Sequence, residues 1–274
     1  MVVFPNCKIN LGLNILRRRP DGYHDIETVM YPVPWTDILE VVPAQFEDTL
    51  TVTGNGVDCP PEKNLVIKAV RALRAVCDFP AVDIHLHKIV PDGAGLGGGS
   101  SDAAFTLTAI NGLFGLGLTD AQLADVAATI GSDCPFFVYN RPMLSTGRGT
   151  DLAPVDVSLS GLWLVIVKDK ASHVSTAQAY AGVTPDATAT PVAEIIQTDV
   201  QEWSGALVNK FEESVFAVAP EVAAIKYRLA DAGAIYTAMT GSGAAVFGLF
   251  DRPVDTADLT AQFAGCAVFA AKMA

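Results

Sequence analysis

The run Pro91 to Ala104, PDGAGLGGGSSDAA, sets the tightest limit on what this 274-residue chain can fold into. Five glycines and two serines stand between an alternating stretch, Val82 to His87, and an apolar stretch, Ala103 to Leu113. Alternation of Val82, Ile84 and Leu86 with Asp83, His85 and His87 predicts a strand with one wet face. The apolar stretch predicts a helix. Glycine opens backbone conformations closed to other residues and lets a ligand come close. A glycine-rich turn that opens a helix aims several N–H groups at one point, where the helix dipole adds positive potential. Pro91 to Ser101 therefore reads as a phosphate cradle.

Two common phosphate loops can be tested on the residues. A Walker A loop needs Lys and then Ser or Thr after its last glycine, but Gly99 is followed by Ser100 and Ser101. The dinucleotide pattern GxGxxG is met by Gly93, Gly95 and Gly98, with Asp120 about 20 residues further on. The wet-faced strand argues against it, because a central strand of a doubly wound sheet is apolar on both faces. A flexible surface loop fits poorly before so apolar a helix. Ser100 and Ser101 can cap the helix or ligate phosphate and Mg²⁺. Asp102, expected in the first turn, suits the dipole.

Half of the residues are hydrophobic, yet no run reaches the roughly 18 apolar residues of a membrane span. The start, MVVFPNCKIN, has no secretory pattern. Five irregularly spaced cysteines without a CxxC argue against a disulfide framework or zinc ribbon. A reducing cytoplasm is expected. A net charge of −12 speaks against nucleic acid and anionic membranes as partners. An anionic substrate must then be drawn by local charge. Arg17-Arg18-Arg19 is the densest basic cluster and reads first as a solvated loop. His85 and His87 share a strand face, but zinc needs further ligands and none is evident.

Along the chain, strands are expected over Val2–Leu16, Ile26–Val42 and Leu50–Val52, with a turn at Pro20-Asp21-Gly22. Asn64–Val76 reads as a helix burying Leu65, Ala69, Ala72, Leu73 and Val76. Thr119–Ile130 reads as another, with a capping box from Thr119 to Gln122. Gly147–Pro154 is a candidate boundary. A buried strand at Leu162–Val167, an exposed loop at Val183–Pro191, and helices at Pro220–Ala232 and Thr256–Phe263 follow. Two strands flank Gly241-Ser242-Gly243, and Ala267–Ala271 is a last strand. The alternation indicates an α+β architecture.

Four features can carry chemistry. Asp133, after Gly131-Ser132 and before Cys134-Pro135, can take a hydroxyl proton or merely end a turn. Lys8 lies in an apolar strand, where a lysine needs a partner or an outward-facing edge. Lys88 can lean toward a nucleotide or sit at a strand end on the surface. Gly241, Ser242 and Gly243 can present amides to substrate phosphates or form a tight hairpin turn.

Pro91, the glycines and Ser100-Ser101 resemble the ATP loop of the GHMP small-molecule kinases. The run CKINLGLNILRRRPDGYHDIETVMYPV resembles the branch whose acceptor is a cytidine diphosphate-linked methylerythritol. GSDCPFFV, HVSTAQAY and TGSGAAVF continue the likeness in the same order. The resemblance implies a two-domain GHMP kinase fold, with a ribosomal protein S5 domain 2-like domain over residues 1–153 and a ferredoxin-like domain over 154–274. It implies ATP and Mg²⁺ as cofactors, and Asp133 as catalytic base with Lys8 beside it. Pro91, Asp92, Gly93, Ala94, Gly95, Leu96, Gly97, Gly98, Gly99, Ser100 and Ser101 would hold ATP, with Lys88 near. Asn10 and Thr176 would meet the acceptor. Tyr23, His24 and Tyr180 would hold cytidine, with Met30 standing where some relatives have another aromatic. Gly241, Ser242 and Gly243 would form a second substrate loop. The implied partner is a small molecule, and the chain is expected as a monomer or homodimer. Another GHMP acceptor (mevalonate, homoserine or a sugar), a nucleotide-binding module without turnover, and a dinucleotide oxidoreductase remain alternatives at this level.

Overall fold

A computed structural model describes residues 1–55 and 59–274. Its strands, in chain order, are β1 (Val2–Val3), β2 (Asn6–Arg18), β3 (His24–Thr36), β4 (Ile38–Pro43), β5 (Thr49–Gly54), β6 (Val82–Lys88), β7 (Met143–Thr146), β8 (Asp151–Pro154), β9 (Trp163–Asp169), β10 (Tyr236–Met239), β11 (Ala245–Phe250) and β12 (Cys266–Lys272). Its helices are α1 (Leu65–Arg74), α2 (Gly98–Phe114), α3 (Asp120–Ala128), α4 (Cys134–Tyr139), α5 (Thr176–Ala181), α6 (Val192–Ile195), α7 (Phe211–Val218), α8 (Pro220–Asp231) and α9 (Thr256–Gln262). Among the described residues no helix is long and apolar enough to cross a membrane. All five cysteines are unpaired.

The chain forms two compact units, each discontinuous in sequence. The first comprises Met1–Lys8, Pro32–Asp92 and Gly97–Arg141, and the second Ile9–Tyr31, Gly93–Leu96 and Pro142–Ala274. The long strands β2 and β3 therefore each contribute to both units, as does the glycine-rich run.

In the first unit a sheet of order β1-β4-β6-β5 carries α2, and α1 packs against α2. β5 and β6 run parallel, joined through α1, while β4 pairs antiparallel to β6. β6 buries Val82, Ile84 and Leu86 and exposes His85 and His87, as its alternation predicts. The two histidines stay on the wet face, His85 near Asp83 and His87 hydrogen-bonded to Thr53. The buried face of α1 is Val66, Ala69, Val70 and Leu73, an i, i+3, i+4, i+7 stripe. The expected face differs, because Val76 lies beyond the helix end and is exposed. α3 keeps its capping box, with Thr119 accepting from Gln122 N.

In the second unit β9, β11, β10 and β12 form an antiparallel sheet in which β12 lies beside β9, then β11, then β10. With helices between β9 and β10 and between β11 and β12, this is the split βαβ arrangement of ferredoxin-like folds. Val165 and Val167 of β9 pack with Phe211, Val215, Val222, Leu229 and Phe250 in one core. A second sheet has the order β2-β3-β7-β8. Gly147–Pro154 comprises the turn and return strand of the β7–β8 hairpin.

Candidate active site

The helix expected from Ala103 begins at Gly98, so the last two glycines, both serines and Asp102 lie inside α2. Glycine and serine are weak helix formers, which hides this start in the sequence. Gly97 is the N-cap, at φ 73°, and no side chain caps the helix, so neither serine serves as the expected cap. The first intrahelical bond runs from Ser101 N to Gly97 O at 2.9 Å. The N–H groups of Gly98, Gly99 and Ser100 are then the donors that such a helix start presents to an anion. A Cβ on Gly97 would stand 2.9 Å from the Phe137 ring and 3.3 Å from Cε of Lys8. Positive φ and this crowding together leave room only for glycine.

Lys8 is fully enclosed within β2, between the buried Cys7 and Ile9. Its Nζ lies 3.7 Å from Oδ2 of Asp133, with 4% of the lysine side chain and 35% of the aspartate side chain exposed. Burial pushes the Lys8 pKa down, and the charge and hydrogen bond of Asp133 pull it part of the way back. Asp133 occupies the N-cap position of α4 without making a cap hydrogen bond, which leaves its carboxylate turned to the lysine. Burial pushes the Cys134 thiol up to about 11, and α4 packs against α2. An ammonium, a carboxylate and a helix N-terminus thus converge within the first unit.

The tip of the run, Gly93–Leu96, packs in the second unit on the turn between β10 and β11. Ala245 N donates to Ala94 O at 3.1 Å, and the Thr240 hydroxyl lies 3.2 Å from Gly95 O. Gly95 has φ 73°, and a Cβ there would sit 2.1 Å from the Thr240 carbonyl oxygen. Gly241-Ser242-Gly243 is a hairpin turn, closed by Gly243 N to Thr240 O at 3.1 Å, and it backs the first glycine loop. Ser242 Oγ lies 3.1 Å from Thr176 Oγ1 at the start of α5. Asn10 donates its backbone N–H to Thr240 Oγ1 at 3.0 Å and its side-chain amide to Thr28 Oγ1 at 3.0 Å.

Also in the second unit, Gly22, Tyr23, His24, Arg148, Thr176, Ala177 and Tyr180 line a cavity of about 300 Å³. His24 and Tyr180 stack with ring centroids 4.7 Å apart and 17° between planes. The guanidinium of Arg148 lies 3.7 Å above the centre of the Tyr23 ring. Arg17 and Arg19 pair with Asp25, and Arg19 also with Asp21, so the basic cluster braces the β2–β3 turn that carries Tyr23 and His24.

Known proteins match this chain throughout. The models for the GHMP kinases N terminal domain and the GHMP kinases C terminal match residues 64–141 and 192–265. A 4-diphosphocytidyl-2-C-methyl-D-erythritol kinase from Parabacteroides distasonis is 51% identical over 92% of this chain and 93% of its own length. The chain belongs to the 4-diphosphocytidyl-2-C-methyl-D-erythritol kinase family of GHMP kinases. It has the two-domain GHMP kinase fold. A crystal structure of a 4-(cytidine 5'-diphospho)-2C-methyl-D-erythritol kinase superposes with a TM-score of 0.81, at 31% identity and 98% coverage of both chains. A homoserine kinase from Cytophaga hutchinsonii superposes with a TM-score of 0.71 at 18% identity, covering 98% of this chain and 94% of its own. That second likeness shows shared fold alone.

In this kinase Lys88 does not reach outward. Its place in β6 continues the inward parity of Val82, Ile84 and Leu86, and its ammonium is buried between Asp37 and Asp102, 2.7 Å from the latter. Burial works to lower the Lys88 pKa, but Asp102 and Asp37 together hold it above the ordinary lysine value. Asp37 also accepts from Ile89 N at 2.5 Å and Val90 N at 2.8 Å. Burial pushes the Asp102 carboxyl up to about 7, against the pull of Lys88. The ion cluster anchors α2 beneath the cradle. Met30 lies in the core opposite Met143, away from the aromatic cavity. Sequence reasoning missed Asp37, Arg148 and Thr240. Only Thr240 carried a signal, as the residue before Gly241-Ser242-Gly243.

Proposed function

We propose that the protein transfers the γ-phosphoryl group of ATP to the 2-hydroxyl of 4-diphosphocytidyl-2-C-methyl-D-erythritol, a step of non-mevalonate isoprenoid precursor synthesis. The observation that carries the reading is the Lys8–Asp133 pair, 3.7 Å apart, beside the N-terminus of α2. Phosphoryl transfer needs positioning and charge neutralisation more than covalent chemistry. The kinase family uses ATP. Pro91 to Ser101 receive its phosphates, with the backbone N–H groups at the start of α2 as donors. Asp133 accepts the proton of the acceptor hydroxyl as the oxygen attacks phosphorus, and the Lys8 ammonium beside it offsets negative charge at the reacting oxygens. Asn10, two residues after Lys8 on β2, orients the acceptor with Thr176, while Gly241, Ser242 and Gly243 meet its phosphates. Tyr23, His24 and Tyr180 take the cytosine, a flat ring that an aromatic cavity accommodates by stacking. Lys88 acts from below the cradle, through α2.

Mg²⁺ fits the residues present. Among the described residues no group of three or more His, Cys, Asp or Glu forms a cage, and Mg²⁺ characteristically keeps waters and substrate phosphates as most of its ligands. Ser101 Oγ, buried at the start of α2 without a hydrogen-bond partner, is the protein oxygen that would hold it. The ion would neutralise phosphate charge there.

The chain is expected to work in a reducing cytoplasm, which its five unpaired cysteines suit. In the same reading the N-terminal ATP-binding domain spans residues 1–153 and the C-terminal domain 154–274, a division compatible with family matches at 64–141 and 192–265. A coupled ADP-release assay across acceptors tests the reading. Turnover with the cytidine diphosphate-linked methylerythritol, and none with mevalonate, homoserine or sugars, is expected. Turnover with one of those instead would reassign the acceptor, and ATP binding without product from any acceptor would make the protein a nucleotide-binding module. Sedimentation separates monomer from homodimer.

A further inference from the structure

Thr240 occupies a position that neither glycine loop explains by itself. Its side chain is fully buried, and its hydroxyl has one proton to donate. Two acceptors compete for that proton at the same distance: Oδ1 of Asn10 and the carbonyl of Gly95, both 3.2 Å away. The hydroxyl oxygen meanwhile accepts from Asn10 N at 3.0 Å. The backbone around it is held on both sides by Asn209, whose side-chain amide donates to Met239 O at 2.7 Å and Gly241 O at 2.8 Å. The framework is fixed and the proton has two places to go.

We propose that Thr240 is a positioning residue that couples acceptor binding at Asn10 to fastening of the nucleotide loop at Gly95. The inference rests on the reading above, in which Asn10 meets the acceptor and Pro91 to Ser101 hold ATP. An acceptor hydroxyl that donates to Asn10 Oδ1 makes that oxygen a poorer partner for Thr240. The Thr240 proton then turns to the Gly95 carbonyl and pins the loop tip, which Ala245 N already holds through Ala94 O. No covalent bond changes, and the proton stays on Thr240. By linkage, nucleotide that orders the loop favours the acceptor by the same factor. One hydrogen bond of ordinary net strength corresponds to a coupling of about 5-fold.

The test is calorimetric titration of the full chain with a non-hydrolysable ATP analogue, with and without saturating cytidine diphosphate-linked methylerythritol. For the unaltered protein the acceptor is expected to tighten the analogue about 5-fold. Thr240→Ser, which keeps the hydroxyl, is expected to retain that tightening. Thr240→Val, of the same shape but without a donor, is expected to lose it while binding each ligand alone within about 3-fold of normal. A merely structural role would weaken both ligands and leave their coupling intact. Equal affinity with and without acceptor in the unaltered protein overturns the proposal even if Thr240→Val fails to fold, as does coupling that survives in Thr240→Val. Both outcomes leave the kinase reading standing. Failure of the unaltered protein to bind either ligand removes that reading and the proposal together.

Discussion

Replacing Lys8 by methionine separates what the buried charge does for catalysis from what it does to the fold. At 3.7 Å the attraction between Lys8 and Asp133 is worth about 4 kcal/mol at an effective dielectric constant of 20. Solvent lowers that figure, since a third of the aspartate side chain is exposed. Against it stands the desolvation of an almost wholly buried ammonium, on the order of several kcal/mol. The Lys8 pKa is pushed down, with burial as the leading cause, so desolvation outweighs the carboxylate. The charge therefore costs stability. Methionine fills a similar volume and leaves Asp133 with water to solvate it. Because the exposed side of Asp133 keeps its water, Lys8→Met is expected to raise stability, by on the order of 1 kcal/mol, or about 2–4 °C in Tm at this size. Turnover is expected to fall at least about 100-fold. The sign of the pH dependence follows from the same shift. Unfolded Lys8 keeps its proton to the ordinary lysine value, while the folded residue releases it earlier. Between those two points the unfolded chain binds more protons, and stability contributed at this position rises with pH. The difference in urea midpoint between Lys8→Met and the unaltered protein should accordingly shrink as pH rises through that window. Urea melts from pH 7 to 10 and the ADP-release assay provide both readouts. A variant less stable than the parent at pH 7, or one with undiminished turnover, refutes the reasoning.

Asp133→Asn should lower turnover by about 10²–10⁴ with little change in affinity for an ATP analogue, and an unaltered rate in the same assay removes the proton-acceptor role. Tyr23→Ala should raise KM for the cytidine substrate about 5- to 100-fold, the loss of one stacking partner, while KM for ATP holds; equal effects on both constants would place Tyr23 outside the cytidine contact. Asp102, pushed up to about 7 in the fold from 3.8, keeps its proton where the unfolded carboxyl has lost it, so its contribution to stability is present below the unfolded value and declines as pH climbs toward 7. Asp102→Asn, which leaves Lys88 paired with Asp37, should flatten that decline in urea melts between pH 4 and 7. Gly95→Ala must move the Thr240 carbonyl from 2.1 Å at a φ that alanine resists, and should weaken the ATP analogue about tenfold or more; unchanged affinity would show that the tip does not touch the nucleotide.

Much of the fold was legible where a local rule acts alone. The wet face of β6 followed from alternation, the start of α3 from the Thr119–Gln122 box, and the edges of α8 from Pro220 and Gly233. The misses fall where tertiary contacts decide. The helical start at Gly98 runs against propensity and is held from below by the Asp102 ion cluster. CPFFVY of α4 is too short and too evenly apolar to show a period. Arg148 reaches the Tyr23 ring only because the β7–β8 hairpin folds back beside the β2–β3 turn.

The two buried lysines show where sequence reading stops at the site itself. Lys8 and Lys88 look alike on paper, each a lysine next to apolar residues in a strand, and both are buried. Folding sets Lys8 beside the Asp133 carboxylate, which is partly in water, and encloses Lys88 between the carboxylates of Asp37 and Asp102, both almost wholly buried. The same burial then has opposite outcomes: the pKa of Lys8 falls and that of Lys88 rises. A lysine whose charge is over-compensated is bound in place and suits anchoring of a helix. A lysine whose charge is under-compensated, beside an acid that still faces solvent, responds to any further negative charge brought near it, and a transferring phosphoryl group brings that charge. The acids that meet each lysine, Asp133 for Lys8 and Asp37 with Asp102 for Lys88, come from distant points of the chain and differ in burial, which is why neither role could be read from the strand that carries the lysine.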